Sequence, residues 1–179
     1  EAAPRQISRT PDPRPPPEQA EIAQLPVFQS REVSPLSPGW KSTQLLSNGR
    51  YSVALRASGA GVSRWRGQTL SRWRDDLLRD SYGHFFYLRQ EGQAQAVSLT
   101  ASPAPGRHWL YDAHFMADRV QFDAHGGDLS STITVLVSPE DDTELRTVHL
   151  HNTGRTEMRC ELVSTFEVVL APQRADEAH

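Results

Sequence analysis

The chain has 179 residues, a formal net charge of -3 and a pI near 6.2, which is length enough for one domain with a real core and a tail besides. An acidic balance argues against a general nucleic-acid or anionic-membrane surface, and a single cysteine, Cys160, excludes a disulfide framework or a zinc site built from several thiolates. No apolar run approaches the roughly 18 residues that span a bilayer and the N-terminus lacks the sections of a signal peptide, so the isolated chain is expected to be soluble, with no direct membrane contact.

Nine of the thirteen prolines fall in the first 38 residues. Residues 1–39 are therefore expected to form a Pro-rich linker or strap, with Val27-Phe28 as a docking point, and residues 40–179 a β-domain. From Leu45 to Leu55, Asn48-Gly49 sits between apolar flanks, the strongest short-range hairpin signal because both residues tolerate positive φ. Tyr51, Val53 and Leu55 then alternate with polar or small residues, and Ser58-Gly59-Ala60-Gly61 marks the next turn. Ser71 to Asp80 holds no clean period and reads as a loop or short turn. His84 to Arg89 reads as a strand, turned at Glu91-Gly92, with Ala94 to Leu99 returning.

In the C-terminal half, Trp109 to Phe115, Arg119 to Ala124 and Ser131 to Val137 read as strands. Leu145 to His151 is expected to pair across Asn152-Thr153-Gly154 with one long half-buried strand. There Met158, Cys160, Leu162, Ser164, Phe166, Val168 and Leu170 share one parity, opposite to Arg159, Glu161, Thr165 and Glu167. On that parity Cys160 is expected to be a small core side chain. Eight or more strands with no convincing amphipathic helix predict an all-β antiparallel sandwich.

The tetrapeptide Ser-Arg-Trp-Arg occurs twice, at 63–66 and 71–74. Guanidinium and indole interleave in Arg64, Trp65, Arg66, Arg72, Trp73, Arg74 and Arg79, with Asp75, Asp76 and Asp80 close by. Guanidinium stacks on indole and offers a fork of donors to carboxylate, phosphate or hydroxyl. Three roles stay open for this segment: an internal ladder paired with Asp75, Asp76 and Asp80, packing against a further domain or subunit, and direct contact with glycan or phosphate. His149 and His151 lie two apart on one strand face, but no third ligand accompanies them, so neither metal nor cofactor is expected. Asp75, Asp76, Asp80, Glu140, Asp141 and Asp142 all lie in polar turns where carboxylates stay ionised, so no catalytic residue is assigned.

The stretches Leu45 to Val53, Ser63 to Arg66, Ser71 to Asp76, Arg79-Asp80 and Phe86 to Arg89, with Val137 to Asp142 and Glu167 to Pro172 in order after them, resemble one family. It is the N-terminal β-domain of the phosphorylase region of cyclic β-1,2-glucan synthases. The resemblance implies a β-supersandwich like that of galactose mutarotase, the module that precedes the (α/α)6 barrel of cellobiose and chitobiose phosphorylases. There an acid on the barrel protonates the glycosidic oxygen while phosphate attacks the anomeric carbon. It further implies that the chain is a fragment of a membrane enzyme, on the cytoplasmic side of the bacterial inner membrane, with the barrel, β-glucan and a second parent subunit as partners. Val62, Gly67 and Ser71 depart from the Tyr, Asp and Thr of the pattern. An accessory domain packed on the barrel is the leading expectation. A self-sufficient carbohydrate-binding module is the alternative, and interleaved Arg and Trp binding single-stranded nucleic acid is disfavoured by the acidic charge.

Overall fold

The structure is a computed structural model and describes residues 30–35, 42–74 and 79–178. Its strands are β1 (Arg31–Val33), β2 (Thr43–Ser47), β3 (Tyr51–Arg56), β4 (Gly61–Trp65), β5 (Gln68–Ser71), β6 (Phe85–Gln90), β7 (Val97–Ser98), β8 (Leu110–Phe115), β9 (Arg119–Gly126), β10 (Leu129–Val137), β11 (Glu144–Asn152), β12 (Cys160–Thr165) and β13 (Val168–Ala171). One short helix, α1 (Gln173–Glu177), follows. All pairing is antiparallel, in sheets ordered β1-β8-β9-β10-β11, β12-β6-β7 and β13-β5-β4-β3-β2. The antiparallel all-β expectation is met.

Period-2 alternation builds the core. Tyr51, Val53 and Leu55 turn inward from β3, and Val120, Phe122, Leu129, Ile133 and Val135 turn inward from β9 and β10. Leu88 and Leu99 close the cluster from the third sheet side. Fully burying such side chains contributes about 1.5–3 kcal/mol each, which is what holds the sheets face to face. Trp109 leans against the core between Gly106 and Gly126, where a Cβ would come within 2.2 and 2.1 Å of the indole. Both positions require glycine for this close approach, although neither has a positive φ.

The Asn48-Gly49 signal does make the β2–β3 hairpin, with Ser47 opposite Ser52. Its turn is centred one residue later than a two-residue Asn-Gly turn: Gly49 has φ +89°, while Asn48 accepts the N–H groups of Arg50 and Tyr51 on Oδ1 at 3.0 and 2.8 Å. Asn48 thus acts as a side-chain cap of the turn. β1 is drawn from the segment read as a strap and pairs with β8. The Val27-Phe28 docking point and Trp40 lie outside the described residues.

Three expectations for the C-terminal region are corrected. β11 pairs with β10, and β12 pairs with β6 rather than returning along β11. The intervening turn does not reverse the strand, because Thr153 N–H bonds to Asp128 O at 2.7 Å and Asn152 Nδ2 bonds to Thr156 O at 2.7 Å, which steers the chain to the other layer. The single long strand is interrupted at Phe166-Glu167, and the β13–β5 register shifts between Val168 and Ala171, where Leu170 takes φ +54°. Cys160 is exposed, not buried. It faces the side on which Leu88 is buried, but β12 is an edge strand and all six of its residues are exposed. Parity fixes which side chains share a face, but not whether another layer covers that face.

Candidate functional site

The two hairpin tips β2–β3 and β4–β5 lie side by side, joined by Arg66 N–H to Arg50 O at 2.9 Å. The second tip is the two-residue turn Arg66-Gly67, with φ of +46° and +84°. Such a turn needs positive φ at both central positions, which gives Gly67 a backbone reason where the family pattern suggested Asp. Arg66 carries the strain of a non-glycine residue there.

Both tips are tied to the loop before β11. Arg50 Nε donates to Asp142 Oδ1 at 2.7 Å, and Trp65 Nε1 donates to Asp142 Oδ2 at 2.6 Å. Asn48 Nδ2 reaches the carbonyls of Ser138 and Asp141, each at 2.9 Å. Arg66 stands 5.0 Å over the Trp65 ring and 4.0 Å from Asp142. The Trp65 indole N–H, and after it the Arg50 guanidinium, hold the Asp142 carboxyl below its usual range. Asp142→Ala is therefore expected to red-shift and quench Trp65 emission while lowering the melting temperature less than substitution of the buried Glu144 described below. An unchanged emission spectrum would show that the contact is not kept in solution.

The remaining motif residues divide between two other places. Arg72 pairs with Asp176 at 3.0 Å and with Glu167 at 2.9 Å, Arg74 donates to Asp176 O at 2.7 Å, and Arg64 donates to Gln173 Oε1. These three arginines clamp α1, a helix too short to be stable alone. Trp73 lies 4.6 Å beneath the Arg56 guanidinium, which pairs with Asp80 at 2.5 Å, while Ser58 donates to Asp80 at 2.8 Å. Arg79 is exposed. Asp75 and Asp76 lie outside the described residues, so the expected pairing with them does too. The described candidates therefore do not converge on one cleft: Trp65 and Arg66 face a loop, Arg64, Arg72 and Arg74 a helix, and Trp73 and Asp80 the Arg56 guanidinium.

A buried polar cluster went unmarked in the sequence. Glu144 and Arg146 alternate inward at the start of β11, with side chains 9% and 7% exposed, and Arg146 Nε donates to Glu144 Oε1. Ser63 Oγ and Tyr51 Oη donate to Glu144 Oε2 at 2.6 and 3.1 Å. Arg146 Nη1 also donates to His84 O at 2.8 Å, and His84 Nε2 lies 2.6 Å from Ser164 Oγ. Burial pushes the Glu144 carboxyl up, but the Arg146 charge and the Ser63, Arg146 and Tyr51 hydrogen bonds outweigh it, so the net shift is downward. Burial, with the Glu144 charge, pushes the Tyr51 phenol up to about 12. Burial and the Arg146 charge lower His84 to about 4. An ionised carboxylate occupied by three donors is a pin between sheets, not a proton donor to substrate. Opposite charges two apart on an inward-alternating strand were the available signal. Among the described residues no group of three or more His, Cys, Asp and Glu side chains is placed to hold a metal ion, and His149 and His151 are exposed on β11.

Over residues 31–179 the chain matches the family described as Glycosyl hydrolase 94, supersandwich domain. It is similar to Cyclic beta-(1,2)-glucan synthase NdvB of Rhizobium meliloti (strain 1021), at 39% identity over 160 residues. That match covers 88% of this chain and 5% of the length of that relative.

Proposed function

Because the chain belongs to the supersandwich-domain family of glycosyl hydrolase 94, we propose that it is the accessory β-domain of a cyclic β-1,2-glucan synthase-like protein. It packs on a helical barrel elsewhere in the parent, which carries glycoside phosphorylase-type chemistry, and helps shape the substrate entrance. The parent is a membrane enzyme working on the cytoplasmic side of the inner membrane, and this domain takes part in its subunit contacts. The observation that carries the reading is that three of the Ser-Arg-Trp-Arg arginines, Arg64, Arg72 and Arg74, donate hydrogen bonds to the chain's own helix α1. Cations already hydrogen-bonded to the chain's own groups have fewer donors left for a glycan or phosphate. No helix among the described residues is long and apolar enough to cross a membrane.

A self-sufficient carbohydrate-binding module is the second reading, favoured by Trp65, which is 37% exposed at the hairpin tip. An indole face at a loop tip is a stacking platform for a sugar ring. Calorimetric titration of residues 1–179 with linear β-1,2-gluco-oligosaccharides separates the two. The accessory-domain reading expects no saturable heat up to millimolar ligand. Saturable binding that vanishes in Trp65→Ala while the melting curve is unchanged would establish the module instead.

A further inference from the structure

The Asn48-Gly49 pair sets the β2–β3 turn, and it is also a reactive dipeptide. A backbone nitrogen that follows asparagine can add to the side-chain Cγ, and glycine leaves that nitrogen the least shielded because it carries no Cβ. In this step the Gly49 nitrogen bonds to Asn48 Cγ and the Cγ–Nδ2 bond breaks. Nδ2 then departs as ammonia, with the proton given up by the backbone nitrogen. Water opens the resulting cyclic imide at either carbonyl and restores a backbone N–H, leaving aspartate or, through the other carbonyl, isoaspartate. Nothing is oxidised or reduced, and water is the one co-reactant.

The attacking nitrogen is sterically open here, since Gly49 is exposed and an added Cβ would meet nothing within 4 Å. The amide it would attack is held. Asn48 Oδ1 accepts the N–H groups of Arg50 and Tyr51 at 3.0 and 2.8 Å, and Nδ2 donates to the carbonyls of Ser138 and Asp141, each at 2.9 Å. The Gly49 N–H itself donates to Ser47 Oγ at 3.0 Å. Bringing Cγ onto the neighbouring nitrogen turns the amide plane away from these partners, so the reaction must wait for the tip to open.

We propose that Asn48 is a site of spontaneous deamidation, held back by the closed tip, and that its conversion releases β2–β3 from the loop before β11. The product carboxylate has no N–H to offer Ser138 O and Asp141 O, which lose their donor. It also places a negative charge against the loop that carries Glu140, Asp141 and Asp142.

Peptide mapping by mass spectrometry tests this on the 179-residue chain, kept in mildly alkaline buffer with and without denaturing urea. The chain has two asparagines, and Asn152 is the internal reference because β-branched Thr153 crowds the nitrogen that follows it. In urea Asn48 is expected to convert well ahead of Asn152, and in the folded chain roughly tenfold more slowly than in urea. Asp142→Ala cuts the Arg50 and Trp65 ties but none of Asn48's own bonds. It is expected to raise the folded rate about threefold by letting the tip open more often. Asn48→Asp installs the product carboxylate, and the Ser138 and Thr143 amides, bonded within the loop, are expected to exchange roughly tenfold faster in it. Conversion of Asn48 no faster than Asn152 in urea would overturn the site, and a folded rate equal to that in urea, or unmoved by Asp142→Ala, would overturn its control by the tip. Unchanged exchange in Asn48→Asp would overturn the release of the loop.

Discussion

Glu144→Ala is expected to cost about 3–5 kcal/mol of folding stability, because it leaves the Arg146 guanidinium buried without its counter-ion. Ser63 and Tyr51 lose their acceptor at the same time, and an unsatisfied buried hydroxyl adds about 1–3 kcal/mol where water cannot reach it. Urea unfolding followed by tryptophan fluorescence reads the loss directly. The double substitution Glu144→Leu with Arg146→Met removes both charges and is expected to recover the ion-pair part of the loss, while the Ser63 and Tyr51 hydroxyls stay without their acceptor. A single-variant loss below about 1 kcal/mol would place the pair in the class of solvated surface bridges. The cluster joins β3, β4 and β11 and, through His84 and Ser164, the edge of β12. Its loss is therefore expected to loosen the contact between sheets rather than one strand.

Acidification is expected to weaken the fold in two separable steps, of which His84 gives the first. Its folded value is lowered from 6.5 to about 4, so between those pH values the unfolded chain binds more protons than the folded one. Stability accordingly rises with pH across this window and is lost as pH falls from 6.5 towards 4. Each pH unit of a fully buried group is worth about 1.4 kcal/mol. His84 is only half-buried, so the loss is expected to be about 1–2 kcal/mol. Glu144 acts lower. Its folded value lies below 4.5, so its contribution persists above the unfolded value and is lost as pH falls through the depressed folded one. His84→Gln cannot titrate, and its unfolding free energy is expected to be flat from pH 7 to 5 where the parent sequence slopes. An unchanged slope in the variant would assign the first step to another group.

Local pattern made β3, β9 and β10 legible, because alternation in Tyr51, Val53 and Leu55 or in Ser131, Ile133 and Val135 is written within a few residues. The Asn48-Gly49 hairpin was legible for the same reason, down to a shift of one residue in the turn. Partner choice was not. β12 pairs with β6 across an intervening half of the domain, and nothing within residues 160–165 distinguishes that neighbour from β11. The same distance hid the partners of the motif: Asp142 is 77 residues from Trp65, and Asp176 is 104 residues from Arg72. Glu144 and Arg146 escaped notice because the strand was read as beginning at Leu145, which left Glu144 outside it and hid that the two share one face. Cys160 and Leu162 had the right parity for a core, and their exposure follows from what stands over β12, which parity does not encode.

Kinetics of the proposed parent carrying Trp65→Ala test the central claim most directly, with the phosphorolysis of β-1,2-gluco-oligosaccharides proposed for it measured per folded molecule alongside the melting curve. If the motif works inside the fold, activity falls only as stability falls, and KM stays within about twofold of the starting protein. A tenfold rise in KM with an unchanged melting temperature, about 1.4 kcal/mol of lost substrate contact, would contradict the account and place Trp65 on the glycan.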